Sequence, residues 1–306
     1  MVGVSIIIVN YNTLQLTRDC INSIYEKTKD VSFEVILVDN NSTDGSVEFF
    51  RKDERIVFIS SQINLGFGRA NNKGLEKANG KYVFFLNSDT LLGNNAVKLF
   101  YDKMEECQHS IACMGTLLFD SSGKIIHSYG KLPTKMFILT YYTSIGPILR
   151  MLGYKTRYYD YPHDMKGHFF PVGYITGADL FVRKSVIDRF GAFDPDFFMY
   201  YEDSDMQKRY KENGFFSYVY DLPKIYHLVS ASSKKKSNLF RKAMSLNGCF
   251  LYQKKHSSTF TYYLFRFMFA IMEIPVLFYP KDSFKNKLIY LKKIFDVSTP
   301  KNTISL

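Results

Sequence analysis

Four apolar runs, each five or six residues long, punctuate the first ninety residues: Val4-Ser-Ile-Ile-Ile-Val9, Phe33-Glu-Val-Ile-Leu-Val38, Ile56 to Ser60 and Tyr82-Val-Phe-Phe-Leu86. Short runs rich in β-branched and aromatic residues fit strands buried on both faces, which belong to parallel sheets. The segments between them carry a different period. Leu16, Cys20 and Ile24 recur at helical spacing between Leu14 and Glu26, Val47 to Arg51 continues as a short helix, and Asn64 to Asn71 leads into a helix closed by Gly80. Strand alternating with helix predicts a doubly wound α/β sheet.

Polar clusters follow three of these strands: Asn10-Tyr-Asn12, Asp39-Asn-Asn-Ser-Thr-Asp-Gly45 and Asn87-Ser-Asp89. Ligands of open α/β sheets collect at this strand edge. The 39–45 stretch is made almost wholly of turn and N-cap formers, and the helix after it turns its positive end toward the strand mouth, an anion-friendly corner. A carboxylate at the end of a buried strand is costly unless it is paired or holds a metal. Asn87 and Asp89, two residues apart, can aim oxygens at one hard divalent cation that keeps room for phosphate, although an Asx-turn has the same composition. Gly66-Phe-Gly68 is not a dinucleotide fingerprint, because residue 71 is not glycine and the segment does not follow the first strand, so an oxidoreductase reading loses its support.

Farther along, Asn95 to Cys107 is an amphipathic helix and Leu117 to Ile126 two short strands about the turn 120–123. Residues 131–171 are rich in Tyr, Phe, Gly and Pro and lack a period; so long an irregular piece is a binding loop or lid, or else a packed aromatic insert, and neither His163 nor His168 is given a role. Tyr174 to Arg183 reads as a strand interrupted at Gly177 and Ala178, as where another group approaches the backbone closely. Glu202, Asp203 and Asp205 crowd three carboxylates at a helix start, with Gly214 as the stop. First-turn acids serve as dipole partners, and three together also raise a pKa and fit one of them, Asp203, to act as a base. After a strand at Phe216 to Tyr220, His227 stands at the end of another short apolar run.

The charge is lopsided. The 306-residue chain carries +11. Residues 234–306 hold 14 basic and 3 acidic side chains, so the tail accounts for the whole excess. Its basic residues are interleaved with Phe, Tyr, Leu and Met, a mixture suited to an anionic membrane surface and not to a nucleic-acid groove. Phe260 to Phe278 contains Arg266, Glu273 and Pro275, and spanning a bilayer would bury its two charges at roughly 2.5 to 3.5 kcal/mol each. The expectation is a helix lying in the membrane interface with Lys281, Lys285, Lys287, Lys292 and Lys293 toward lipid; the alternative is an appendage packed on the rest of the chain or on a second copy. Four cysteines without a metal or disulfide spacing, and an N-terminal apolar run too short for a signal peptide, point to a cytoplasmic protein, and the tail would make it peripheral on the inner face of the plasma membrane.

From Val4 to about Ser232 the ordered motifs Ile7-Ile-Val-Asn-Tyr-Asn12, Val38-Asp-Asn-Asn-Ser-Thr-Asp-Gly-Ser46, Asn64-Leu-Gly-Phe-Gly-Arg-Ala-Asn-Asn72, Phe85-Leu-Asn-Ser-Asp-Thr90, Thr176-Gly-Ala-Asp179, Phe197-Phe-Met-Tyr-Tyr-Glu-Asp-Ser-Asp205 and His227 resemble the family-2 glycosyltransferases of GT-A fold, in particular their rhamnosyltransferase-like members. The resemblance implies a Rossmann-like, mostly parallel sheet flanked by helices, a catalytic domain at 1–233 (nucleotide-sugar half to about 120, acceptor half beyond) and a helical tail at 234–306. It implies a nucleotide-diphosphate sugar donor, UDP- or dTDP-linked, and a glycan or lipid-linked acceptor in bacterial polysaccharide assembly. Tyr11 and Asp39 would hold the nucleoside with Arg69 nearby, and Asn87, Ser88 and Asp89 would occupy the Asp-x-Asp segment. Asp89 and His227 would hold a divalent cation, Mn or Mg, while Asn87 departs from the motif's first Asp. Gly177, Ala178, Asp179 and Glu202 would lie on the acceptor side, and Asp203 would be the base of an inverting transfer. A sugar-nucleotide pyrophosphorylase would need a Gly-rich basic loop after the first strand, which Asn10-Tyr-Asn-Thr13 does not supply. An inactive carbohydrate or membrane-surface binding protein is the non-enzymatic alternative.

Overall fold

A computed structural model describes residues 2–154, 168–228 and 238–275, together with 287, 288 and 294. It opens with β1 (Val4–Asn10), α1 (Leu14–Lys27), β2 (Phe33–Asp39), α2 (Ser46–Phe50), β3 (Ile56–Ser60), α3 (Phe67–Leu75) and β4 (Tyr82–Asn87). This is the expected alternation. β1 runs parallel to β2 on one side and β4 on the other, setting Ile7 opposite Ile36 and Phe85, and all three side chains are fully buried. Helices cover both faces, which is why these strands read as continuous apolar runs.

The chain continues through β5 (Thr90–Leu92), α4 (Ala96–Glu106), β6 (Ile111–Gly115), β7 (Leu118–Phe119), β8 (Ile125–Ile126), β9 (Tyr129–Gly130), α5 (Lys135–Tyr142) and α6 (Gly146–Met151). Next come β10 (Phe169–Val172), β11 (Tyr174–Ile175), β12 (Asp179–Arg183), α7 (Lys184–Phe190), α8 (Glu202–Glu212), β13 (Phe216–Tyr220), β14 (Ile225–His227), α9 (Asn238–Lys255) and α10 (Thr259–Glu273). The main sheet has eight strands in the order β10-β13-β6-β12-β4-β1-β2-β3. β12 is antiparallel to both neighbours, so its first residue, Asp179, lies beside Leu86 near the end of β4. A four-stranded sheet, β5-β14-β7-β8, sets His227 opposite Thr90. Its part in the architecture is to carry that histidine to the mouth of β4.

Three expectations need revision. The segment 131–171 is not one irregular loop: it forms α5, α6 and β10, while 155–167, with His163, lies outside the described residues. His168 pairs with Asp221 at 2.7 Å. The strand expected at Tyr174 to Arg183 is two strands, β11 and β12, parted at the small residues. Lys287, expected to face lipid, is 8% exposed, while Lys281, Lys285, Lys292 and Lys293 lie outside the described residues. A separate apolar core joins Ile138 and Leu139 of α5, Phe197 and Tyr201 ahead of α8, Phe250 and Tyr252 of α9, and Phe265 and Phe269 of α10. The tail helices therefore share a core with the segment that leads into the acidic cluster.

Candidate active site

The loops after β1, β2 and β4 meet at one sheet edge. Asp39, fully buried, accepts from Asn10 Nδ2 at 2.7 Å with one oxygen and from the Ser42 N–H at 3.0 Å with the other. Asn10 in turn accepts from Thr13 and Thr17, each at 2.8 Å, and Thr13 meets Ser88 at 3.2 Å. Asn12 and Asn41 take left-handed backbone, φ 54° and 69°, a conformation asparagine tolerates better than bulkier residues. A buried carboxylate at the strand mouth thus organises two loops, with Tyr11 half-buried in the first. Arg69, on the first turn of α3, donates Nε to the carbonyl of Pro195 and ties that helix to the loop ahead of α8.

Asp89 Oδ1 lies 3.0 Å from His227 Nε2, and Asn87 Nδ2 lies 3.4 Å from the same nitrogen. The β5–β14 pairing and a bond from the Leu228 N–H to the Asp89 carbonyl at 2.8 Å hold the two chain segments together. Among the described residues no group of three or more His, Cys, Asp or Glu side chains forms a cage. The donor set here is one carboxylate, one imidazole and one amide. Hard divalent cations take six or more ligands and accept water and phosphate oxygens for the rest, so these residues fit a cation shared with a diphosphate.

On the far side of β4, the Asn87 N–H donates to the Ala178 carbonyl at 3.1 Å, and the Gly177 N–H donates to Asp203 Oδ2 at 3.2 Å. Two hydrogen bonds therefore link the end of β4, two residues before Asp89, to the carboxylate of Asp203. A Cβ on Gly177 would fall 2.6 Å from the ring of Phe67, which identifies the close approach expected there. Asp179 is fully buried, accepts from the Thr116 N–H at 2.7 Å and has no partner for Oδ1 among the described residues, so burial pushes its carboxyl well above the usual range.

The three acids at the start of α8 sit in three environments. Glu202 is buried with Oε2 unpartnered among the described residues; burial, then the charge of Asp203, raise its pKa and favour the neutral acid. Burial also raises Asp203, but it accepts from the N–H groups of Ser204, at 2.7 Å, and Gly177, so the charge shared by the pair resides there. At Asp205 burial is outweighed by His256, at 2.9 Å, and Arg209, at 3.0 Å, which hold its carboxyl below the usual range. Asp203 is the half-buried acid with an elevated pKa, the state a general base needs.

Two supports of this cluster carried no sequence signal. Gln207, buried on α8, accepts from the Ile175 N–H at 2.8 Å, donates to the Ile175 carbonyl at 2.7 Å, and donates to the Asp203 carbonyl at 3.1 Å. It locks α8 against β11 one turn below Asp203. His256 stands directly after the last residue of α9, 51 residues beyond its partner Asp205. Gly66, with φ +80°, lets the chain pass where a Cβ would fall 2.3 Å from the Phe198 carbonyl. It seats α3 on the loop entering α8.

The sequence profile described as glycosyl transferase family 2 matches residues 5–167. An uncharacterized glycosyltransferase of Rickettsia bellii is 34% identical over 41% of this chain, an alignment that spans 18% of that protein. An N-acetylglucosaminyl-diphospho-decaprenol L-rhamnosyltransferase of Mycobacterium tuberculosis is 25% identical over 65% of this chain and 68% of its own. A Pyrobaculum calidifontis mannosyltransferase solved with GDP-Man and Mn2+ superposes with a TM-score of 0.56 at 14% identity, covering 95% of this chain and 72% of that one, a likeness of fold. The first of these relatives is far longer than the region it shares with this chain.

Proposed function

The chain belongs to glycosyl transferase family 2, and from that premise we propose that it transfers a hexose or deoxyhexose, with inversion, from a nucleotide-diphosphate sugar to a hydroxyl of a glycan or lipid-linked acceptor in bacterial polysaccharide assembly. The observation that carries this reading is the junction at β4: the strand end at Asn87, two residues before Asp89, and the carboxylate of Asp203 are joined through Ala178 and Gly177. One backbone crossing would then serve both a leaving-group site and a base. The rhamnosyltransferase relative and the mannosyltransferase solved with its nucleotide sugar and Mn2+ support the choice of donor class and cation.

In this mechanism Tyr11 and the loop organised by Asp39 receive the nucleoside, with uridine or thymidine as the base class. Asp203 takes the proton of the acceptor hydroxyl as that oxygen bonds the anomeric carbon, and the bond from that carbon to the diphosphate oxygen breaks, releasing a nucleoside diphosphate. Asp89 and His227, with Asn87 beside them, would hold a Mn or Mg ion, which supplies positive charge to the departing diphosphate. Glu202 stays neutral beneath Asp203 and leaves the negative charge on the group that faces the acceptor. Gly177 and Ala178 form the backbone floor between the two ends, and Asp179 fastens that floor to Thr116.

The test is thermal stability with a panel of nucleoside diphosphates, with and without Mn or Mg, beside Asp89→Ala. A ligand at a hundred times its dissociation constant adds about 2.7 kcal/mol, a resolvable shift. Stabilisation by one uridine or thymidine nucleotide only with metal, lost in Asp89→Ala, supports the reading and names the donor class. A flat response to every nucleotide in folded protein refutes it.

A further inference from the structure

The last described helix is amphipathic in reverse. Along α10 the outward side chains are Phe260, Tyr263, Leu264, Phe267, Met268 and Ile271, between 42% and 78% exposed, and they recur at helical spacing as one stripe. Its two charged residues point inward. Glu273, fully buried, accepts from the Ser144 N–H at 2.6 Å and from the Ser144 hydroxyl, while Arg266 donates to Tyr262 at 3.0 Å and sits 4.0 Å from the centre of the Phe250 ring. A helix on the surface of a soluble domain has the opposite polarity.

Packing does not explain the stripe, because the inner face of α10 already fills its share of the core against α9 and α5. Ser144, pinned by Glu273, lies between α5 and α6, and from there Ile148, Met151 and Leu152 continue the exposed apolar surface at 57%, 87% and 71%. Six large side chains about half exposed leave roughly 600 Å² of apolar area on α10 alone, at the upper limit of what monomeric proteins expose without a partner.

We propose that this face is a monotopic docking surface for an anionic lipid bilayer, with α10 lying in the plane of the interface. The charge of the tail selects this occupant: residues 234–306 carry 14 basic and 3 acidic side chains, and after the buried Arg266, Lys287 and Glu273 are set aside the balance is still 12 basic to 2 acidic. A second copy on the same stripe would bring two tails of net +11 together. No helix among the described residues is long and apolar enough to cross a membrane, so the contact is with one leaflet.

The experiment is flotation of the full chain with vesicles of phosphatidylcholine alone or mixed with phosphatidylglycerol, beside the double variant Phe260→Glu, Phe267→Glu and, as a control, Phe49→Glu, an exposed aromatic on α2. The wild type and Phe49→Glu should float with the anionic vesicles and be released by salt. The double variant should bind at least about tenfold more weakly while melting like the wild type, because both side chains project outward. Unchanged binding by the double variant, or equal binding to neutral vesicles, overturns the proposal. So does a wild-type dimer that the double variant converts to monomer, which would make a second copy the occupant. Nucleotide-dependent stabilisation, measured separately, is untouched by any of these outcomes.

Discussion

Replacing Gln207 by Leu isolates what the acidic helix owes to one buried amide. β11 pairs with β9 so that the N–H of Thr176 donates to Ser128 and the N–H of Gly173 to Gly130, which leaves both polar groups of Ile175 turned to the other side. Gln207 satisfies both, at 2.8 and 2.7 Å, and its oxygen also accepts from the Ser217 hydroxyl at 2.8 Å. Leu has nearly the same volume but no polar atom, so the substitution leaves a buried N–H and a buried carbonyl without partners. Each costs about 1 to 3 kcal/mol, giving a loss of about 2 to 6 kcal/mol in urea unfolding at unchanged m-value. Gln207→Glu offers a sharper version. Only a protonated carboxyl can both donate to the Ile175 carbonyl and accept from its N–H, so its folded-state pKa must exceed the unfolded value. The stabilisation is then present at low pH and lost as pH rises, and this variant should gain on the wild type between about pH 7 and pH 5. A Gln207→Leu protein within about 0.5 kcal/mol of wild type would refute the assignment.

Asp203→Asn should lower turnover by about a hundredfold to ten-thousandfold while leaving the nucleotide-dependent thermal shift intact, since the residue acts on the acceptor proton. Because burial raises the Asp203 pKa, the acid limb of the wild-type rate profile should lie above the ordinary carboxylate value of about 3.9, with activity rising as pH increases through it; a limb at or below that value would contradict the buried setting. Gly177→Ala puts a Cβ 2.6 Å from Phe67, and the overpacking should cost about 1 to 3 kcal/mol in denaturant unfolding and reduce turnover by moving the N–H off Asp203. Gly248→Ala, on α9, puts a Cβ 2.3 Å from the Tyr200 carbonyl and should lower both melting temperature and turnover, although residue 248 lies in the tail.

The parallel half of the fold is legible because burial on both faces erases every other pattern: β1 to β4 each lie within one residue of the run that predicts them. β6 is not, since Ile111-Ala-Cys-Met-Gly115 mixes small residues that pack well between neighbours but have little strand character of their own. α5 escapes for the opposite reason. Its sequence, Lys135 to Tyr142, is apolar nearly all round, with Met136 and Tyr141 exposed and Ile138 and Leu139 buried, so no helical period stands out. At the site, Asp89, Asp203 and His227 carry their signal in local spacing, whereas Gln207 stands among charged residues and reads as a solvent-facing helix position. Its burial is imposed by a strand some thirty residues earlier in the chain.

The loop ahead of α8 shows why the tail cannot be treated as an accessory to the sheet. Tyr200 and Tyr201 both have φ +73°, a left-handed conformation that bulky residues adopt only when their surroundings enforce it. Those surroundings come from three places: Gly248 of α9 leaves room for the Tyr200 carbonyl, Tyr252 of α9 lies 5.7 Å from the Tyr201 ring, and Tyr142 of α5 accepts from the Tyr201 hydroxyl at 3.1 Å. Lys255 adds ion pairs at 2.9 and 2.8 Å to Asp194 and Asp196 in the same loop, and His256 reaches Asp205 one turn beyond. The strained pair leads directly into Glu202 and Asp203, so the aim of the carboxylates depends on contacts that α9 makes. α10 braces α9 from behind through Phe265 and Phe269, and its outer stripe is the surface assigned to lipid. A change that unseats α10 must therefore loosen the backbone under Asp203, whereas a change confined to the outward stripe should leave turnover on a soluble acceptor as it was.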